Sequence, residues 1–145
     1  MPGILVGIDG SAHAHHALEW AVSEAALRHM PLTVLTVSQT VTGWGVPMTY
    51  PADVELAEKA REAAEQETEH MLERLATESR PPSVTVEAVT GLPAEALLKA
   101  AADADMIVVG SRGAGGFKRL LMGSVSTTVT HHAHCPIVVI PADRT

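Results

Sequence analysis

Met106-Ile107-Val108-Val109-Gly110-Ser111-Arg112-Gly113-Ala114-Gly115-Gly116-Phe117-Lys118-Arg119-Leu120-Leu121-Met122-Gly123-Ser124-Val125 is the stretch that decides how this chain is read. Residues 106–109 are a short apolar run, the pattern of a parallel strand buried on both faces. Gly110, Gly113, Gly115 and Gly116 then break the regular pattern. Regular form resumes at Gly123, and Ser124 is placed to cap a helix running through Val129. Glycines adopt backbone angles closed to other residues, which lets successive N–H groups turn toward one anion. A helix start adds unpaired N–H donors and about half a positive charge. Arg112, Lys118 and Arg119 place cations in the same stretch. The order strand, glycine-rich loop, helix start predicts a phosphate cradle.

Working outward, the remaining pattern is an alternation of strands and helices. Ile4–Ile8 reads as a first strand, ending at Asp9-Gly10-Ser11. Ser11 is a good N-cap, and Ala17, Leu18, Ala21, Val22 and Ala25 recur at helical spacing. Trp20 falls off that stripe and is expected toward solvent or a partner. Residues 32–37 form a second strand. Residues 38–52 show no period and hold Gly43, Gly45, Pro47 and Pro51, so they read either as a disordered excursion or as a flap beside a ligand. A long helix is predicted over 54–79, with Ala57, Ala60, Ala64, Met71, Leu72 and Leu75 inward and a charged outer face. Val84, Val86 and Ala88 belong to a third strand. Pro93 suits a first helical position, and Ala94, Leu97, Leu98 and Ala101 mark the short helix that follows. The fourth helix ends near His131, and Ile137–Ile140 is the last strand.

Five strands alternating with four helices predict an α/β fold: one open parallel sheet with helices on both faces, Rossmann-like, in a single domain over 1–145. Pattern alone leaves the strand order open. The chain of 145 residues is 46% hydrophobic and 19% charged, the balance of a folded globular protein. A formal charge of −7 and 3% aromatics argue against nucleic-acid binding. No apolar run approaches the ~20 residues of a membrane span, and no signal pattern opens the sequence. Cys135 is the lone cysteine, consistent with a reducing compartment, and the expected location is cytoplasmic.

Known nucleotide motifs fit only in part. No lysine directly follows a glycine, so the Walker A pattern is absent, and no G-x-G-x-x-G follows the first strand. What is present is G-x2-G-x9-G-[ST], on Gly110, Gly113, Gly123 and Ser124. With Val6-Gly7-Ile8-Asp9-Gly10-Ser11, Val34-Leu35-Thr36-Val37, Gly91-Leu92-Pro93-Ala94-Glu95 and His134-Cys135-Pro136-Ile137-Val138-Val139, the sequence resembles the ATP-binding branch of the universal stress protein family. The resemblance covers essentially the whole chain. It implies strand order 3-2-1-4-5, as in adenine nucleotide α-hydrolase-like folds. It implies ATP as ligand, and a homodimer pairing Ile137–Ile140 across a two-fold axis. Strands one and four would then be neighbours where the winding reverses, and ligands bind off the C-terminal strand ends at such a reversal.

The phosphate tail is expected on the amides of Arg112 and Gly113 and on Gly123, Ser124 and Val125, with Ser126 a weaker contact. By the resemblance, Gly110 lets the chain approach the ribose, Asp9 faces the adenosine, and the backbone of Val37 reads the adenine edge. Gly10, Ser11 and Ser111 complete the set. A plainer role for Asp9 is a carboxylate favoured by the helix start. Mg²⁺ would be held through the phosphates and water. His13, His15 and His16, and again His131, His132 and His134, offer two ligands per face, fewer than zinc needs. No group to orient an attacking water is evident, so no catalytic residue is assigned and binding is expected over turnover. The alternatives are a slow ATPase or a phosphoryl or nucleotidyl transferase, a nucleotide-free interaction module, and an AMP or cyclic-nucleotide binder.

Overall fold

The computed structural model describes residues 3–38, 42–43, 46–47, 51–111 and 124–141. Five strands, β1 (Ile4–Ile8), β2 (Leu32–Ser38), β3 (Val84–Thr90), β4 (Met106–Gly110) and β5 (Ile137–Ile140), form one sheet. Its spatial order is β3-β2-β1-β4-β5, and every neighbouring pair is parallel, so the expected 3-2-1-4-5 winding is observed. Four helices connect the strands: α1 (Ala12–Arg28), α2 (Pro51–Glu73), α3 (Pro93–Ala100) and α4 (Ser124–His132).

Successive side chains on a strand point to opposite faces, and this divides the core in two. Ile4, Val6 and Ile8 of β1, Leu32 and Val34 of β2, and Met106 and Val108 of β4 point one way. They pack against Ala14, Leu18, Ala21 and Val22 of α1 and Ala64 and Met71 of α2. Leu5, Leu35, Ile107 and Val109 point the other way, against Leu97 and Val129 from α3 and α4. The apolar runs of β1 and β4 are thus continuous in sequence because both faces are covered.

α1 begins where predicted, with the Ser11 hydroxyl accepting from the Ala14 amide at 3.2 Å. It ends at His29, whose φ of 55° is left-handed, with the Met30 amide reaching back to the Ala25 carbonyl at 2.9 Å. Trp20 differs from expectation: it is half-buried and packs against the first core cluster. An indole is large enough to reach the core from the flank of a stripe.

The second helix also differs from the predicted 54–79. It starts at Pro51, a residue that terminates helices from within but suits their first turn. It stops at Glu73, and a separate 3₁₀ turn covers Thr77–Ser79. Two residue pairs, Thr42–Gly43 and Val46–Pro47, form a short antiparallel ladder inside the segment that reads either as a disordered excursion or as a flap. Among the described side chains of α2, the buried ones, Ala64, Thr68 and Met71, lie in its second half, while Val54 and Leu56 are exposed. Thr68 is buried with its hydroxyl donating to the Ala64 carbonyl at 2.7 Å.

Candidate functional site

The C-terminal ends of β1 and β4 come to the same level of the sheet but do not pair there. β1 keeps its ladder with β2 as far as Ile8↔Thr36, yet its ladder with β4 ends at Val6↔Val108. β4 in turn pairs with β5 as far as Gly110↔Ile140, and the Ser111 amide donates to the Ile140 carbonyl at 2.8 Å. Each central strand therefore finishes bonded only to its outer neighbour. Continuing the β1/β4 offset sets Ile8 opposite Gly110 and Asp9 opposite Ser111. This parting of two parallel strands at the winding reversal is where open α/β sheets hold ligands.

On the β1 side, the chain leaves the sheet through an Asx turn in which Asp9 Oδ1 accepts from the Ser11 amide at 3.0 Å. Gly10 has a φ of 82°, so the turn needs a residue without a Cβ. Ser11 then caps α1. The Asp9 carboxylate is thus held beside a helix start, as the plainer reading of its role anticipates, while the residue itself is exposed at the strand end.

On the β4 side, Gly110 is half-buried and Ser111 is buried. The buried Ser126 hydroxyl donates to the Ser111 carbonyl at 3.4 Å, a long bond that ties the first turn of α4 to the end of β4. Ser124 is exposed and is the first helical residue, one place inside the predicted capping position. Val125 is half-buried and packs against the second core cluster. Arg112, Gly113 and Gly123 lie outside the described residues, as do Gly115, Gly116, Lys118 and Arg119. Val37, one residue past the last β1/β2 rung, packs its side chain against the second cluster and stands opposite Val89 of β3. The strand ends thus gather Asp9, Gly10, Ser11, Gly110 and Ser111 around one crevice. The Ser126 bond adds the start of α4 to it, and Val37 stands one strand away.

The histidines sort differently. His15 Nδ1 and Glu67 Oε1 are 2.9 Å apart, a link between α1 and α2 that no sequence spacing announces. His13 Nδ1 is buried and makes no hydrogen bond among the described residues. Among those residues no three His, Cys, Asp or Glu side chains are grouped to hold a metal ion. Cys135 is half-buried in the second cluster, and burial, with Asp105 adding, pushes its thiol up from the ordinary value. No helix among the described residues is long and apolar enough to cross a membrane. Leu92 is the exposed N-cap residue of α3, directly before the helix-starting Pro93, where a serine, threonine, aspartate or asparagine is the usual choice.

Comparison with known proteins adds the relationship. A universal stress protein of Mycolicibacterium smegmatis is 36% identical over 143 residues, an alignment covering 97% of this chain and 48% of that protein. The chain thus spans about half the length of the curated relatives it matches. Among solved structures, universal stress protein UspA from Lactobacillus plantarum superposes with a TM-score of 0.73 at 28% identity, covering 96% of this chain and 97% of the other. Two more distant structures share the fold. A universal stress protein in complex with cAMP has a TM-score of 0.67, 21% identity and coverage of 97% and 96%. The universal stress protein from Archaeoglobus fulgidus in complex with dAMP has a TM-score of 0.67, 22% identity and coverage of 97% and 98%. The model of the Universal stress protein family matches residues 2–141, and the chain belongs to that family.

Proposed function

We propose that this chain, acting as one domain, binds an adenine nucleotide in the crevice between β1 and β4. We take that nucleotide to be ATP. The observation that carries the proposal is the parting of β1 and β4 beyond Val6 and Val108, just before Asp9 and the Gly110 that opens the G-x2-G-x9-G-[ST] segment. The residues on the page suit such a ligand. Gly110 brings no side chain to the crevice, and Ser124 stands exposed at a helix N-terminus, where N–H donors favour anions. The loop that would wrap the phosphates carries Gly113, Gly115, Gly116 and Gly123 and the cations Arg112, Lys118 and Arg119.

Asp9 would face the adenosine, and Val37 would offer its backbone to the base. Mg²⁺ would neutralise the triphosphate, held through phosphate oxygens and water. The complexes of related proteins with cAMP and dAMP support adenine as the shared moiety. A tail longer than one phosphate is supported by the distance in sequence between Gly110 and Ser124.

Binding serves a regulatory output: ATP biases whichever conformation or partner contact it prefers, by the difference in its affinity for the two states. Hydrolysis is no part of the proposal. We place the protein in the cytoplasm, a reading supported by its single cysteine. We also propose a homodimer through β5, whose four residues are half-buried and whose outer edge would otherwise be an unpaired apolar strand. Sedimentation at micromolar concentration should give a dimer; a monomer at all concentrations rejects that part.

The deciding experiment is mass spectrometry of ligand released from purified protein, followed by calorimetric titration with ATP, ADP, AMP, cAMP and adenosine. Tightest binding of ATP supports the proposal. Tightest binding of AMP or cAMP moves the ligand to the short-tailed class. Absence of binding by all five rejects the nucleotide reading in favour of a nucleotide-free interaction module.

A further inference from the structure

Leu92 occupies a position where it contributes neither of the two things a leucine or an N-cap residue ordinarily contributes. It is the N-cap of α3, with φ −86° and ψ 128°, and its carbonyl accepts the first helical bond from the Ala96 amide at 2.9 Å. No side-chain cap bond is made there. Asparagine, aspartate or serine at an N-cap satisfies a free amide, and leucine is among the poorest choices. Nor is the side chain buried, since 58% of the residue is exposed. Departures from local rules without a compensating gain in packing are expected at functional or strained sites.

Its surroundings indicate which function. The Gly91 amide donates to the Ser38 carbonyl at 2.9 Å, which docks the turn before α3 onto the C-terminal end of β2. Gly91 has a φ of 145°, a conformation that side chains disfavour, so this docked turn depends on glycine. Val89 lies on the face of β3 that also carries the exposed Thr85 and Glu87, opposite the face whose Val84 and Val86 pack on the first core cluster. It stands beside Val37 in the sheet and is itself 37% exposed. Two partly uncovered aliphatic side chains therefore sit at the ligand-binding end of the sheet, next to the end of β2.

The faces of a purine are flat and weakly polar and need an apolar surface to lie on. Aromatic residues usually supply it, but they make up only 3% of this chain. Trp20, the aromatic residue whose side-chain packing is described, lies against the first core cluster.

We propose that Leu92, with Val89 beside it, is the apolar wall against which the adenine ring of the bound nucleotide lies. The inference rests on the nucleotide reading above and adds the residues that hold the base. The substitution Leu92→Asn separates this role from a structural one, because the two predict opposite signs for stability. As a better N-cap, asparagine should raise the urea midpoint of the free protein. With the wall removed, adenosine and ATP should both bind about tenfold more weakly, about 1.4 kcal/mol. Their ratio should stay unchanged, because the phosphates do not touch Leu92. Leu92→Met should keep wild-type affinity for both within about twofold.

A Leu92→Asn protein that binds adenosine as the wild type does, or weakens for ATP alone, overturns the assignment of the wall. So does a lowered urea midpoint, which would show that Leu92 is there for the fold. Wild-type protein that binds neither adenosine nor ATP rejects the nucleotide reading itself, and the wall falls with it.

Discussion

Gly7 sits in the middle of β1, directly against the Leu97 side chain of α3. A Cβ added there would lie 2.8 Å from Leu97 Cδ2 and 3.2 Å from Leu97 Cδ1. The Leu97 side chain is buried at 3% exposure among Leu5, Leu35 and Ile107, so it cannot turn aside without pushing on another core residue. Gly7→Ala therefore overpacks a closed site, at about 1–3 kcal/mol. Alanine also narrows the unfolded ensemble, which returns about 0.4–1 kcal/mol. The net expectation is a loss of about 1–2 kcal/mol.

Leu97→Ala alone should cost about 2–5 kcal/mol by emptying the site. In the double variant the two errors cancel in part. The clash is gone, and the new methyl at position 7 occupies some of the void left at 97. The double variant should thus be more stable than the sum of the singles predicts, by about 1–2 kcal/mol. Urea unfolding of the four proteins at one temperature measures this cycle directly. A Gly7→Ala protein as stable as the wild type refutes the steric argument. Single effects that add to within about 0.3–0.5 kcal/mol would show that the two positions do not meet.

Three further outcomes follow from described contacts. His29 is the non-glycine residue with positive φ among the described residues, at the C-terminus of α1, so His29→Gly should raise stability by about 0.5–1 kcal/mol in thermal or urea unfolding. Thr68→Val keeps the volume of a buried side chain and removes a hydroxyl bonded only to its own helix at Ala64. Its stability should match the wild type to within about 0.5 kcal/mol, whereas Thr68→Ala should lose about 1 kcal/mol or more. Cys135 releases its proton at a higher pH in the folded chain than in the unfolded one, because burial, and then Asp105, disfavour the thiolate. The resulting stability is complete below the ordinary thiol range and is lost as pH rises through the folded value. Urea midpoints should accordingly fall more steeply above about pH 8.5 in the wild type than in Cys135→Ser.

Much of this architecture is legible in the sequence, because a parallel sheet covered on both sides leaves unbroken apolar runs. Residues 106–109 and Ile4–Ile8 announce themselves that way, and Ser11 and Pro93 mark helix starts by their own chemistry. The bounds of α2 were less legible. Pro51 has the same appearance whether it ends a loop or opens a helix, and the apolar spacing carries on to Leu75 although the α-helix stops at Glu73. Trp20 was misplaced because a stripe of small residues understates how far an indole reaches.

Within the site, Gly110 is marked by motif spacing and Asp9 by the family resemblance. That β1 and β4 end at one level, each paired there only with its outer neighbour, is a matter of register, which no single strand encodes. The same holds for the exposure of Leu92, which depends on how the turn at Gly91 docks on β2, whereas its missing cap bond follows from leucine having no acceptor. The pairing of His15 with Glu67 needs two helices to be placed before it can be seen.

The uneven seating of α2 has a mechanical consequence. Its grip on the sheet begins at Ala64, while Val54 and Leu56 stand in solvent. The turn that carries Val54 and Leu56 can therefore unwind without prising either side chain from the core, and isolated helical turns hold themselves together weakly. Amide exchange should slow stepwise from the Pro51 end toward Met71, as in a rope fixed at one cleat. Unwinding that begins at that end leaves Ala64 and Met71 in place against the first core cluster, so the sheet stays whole.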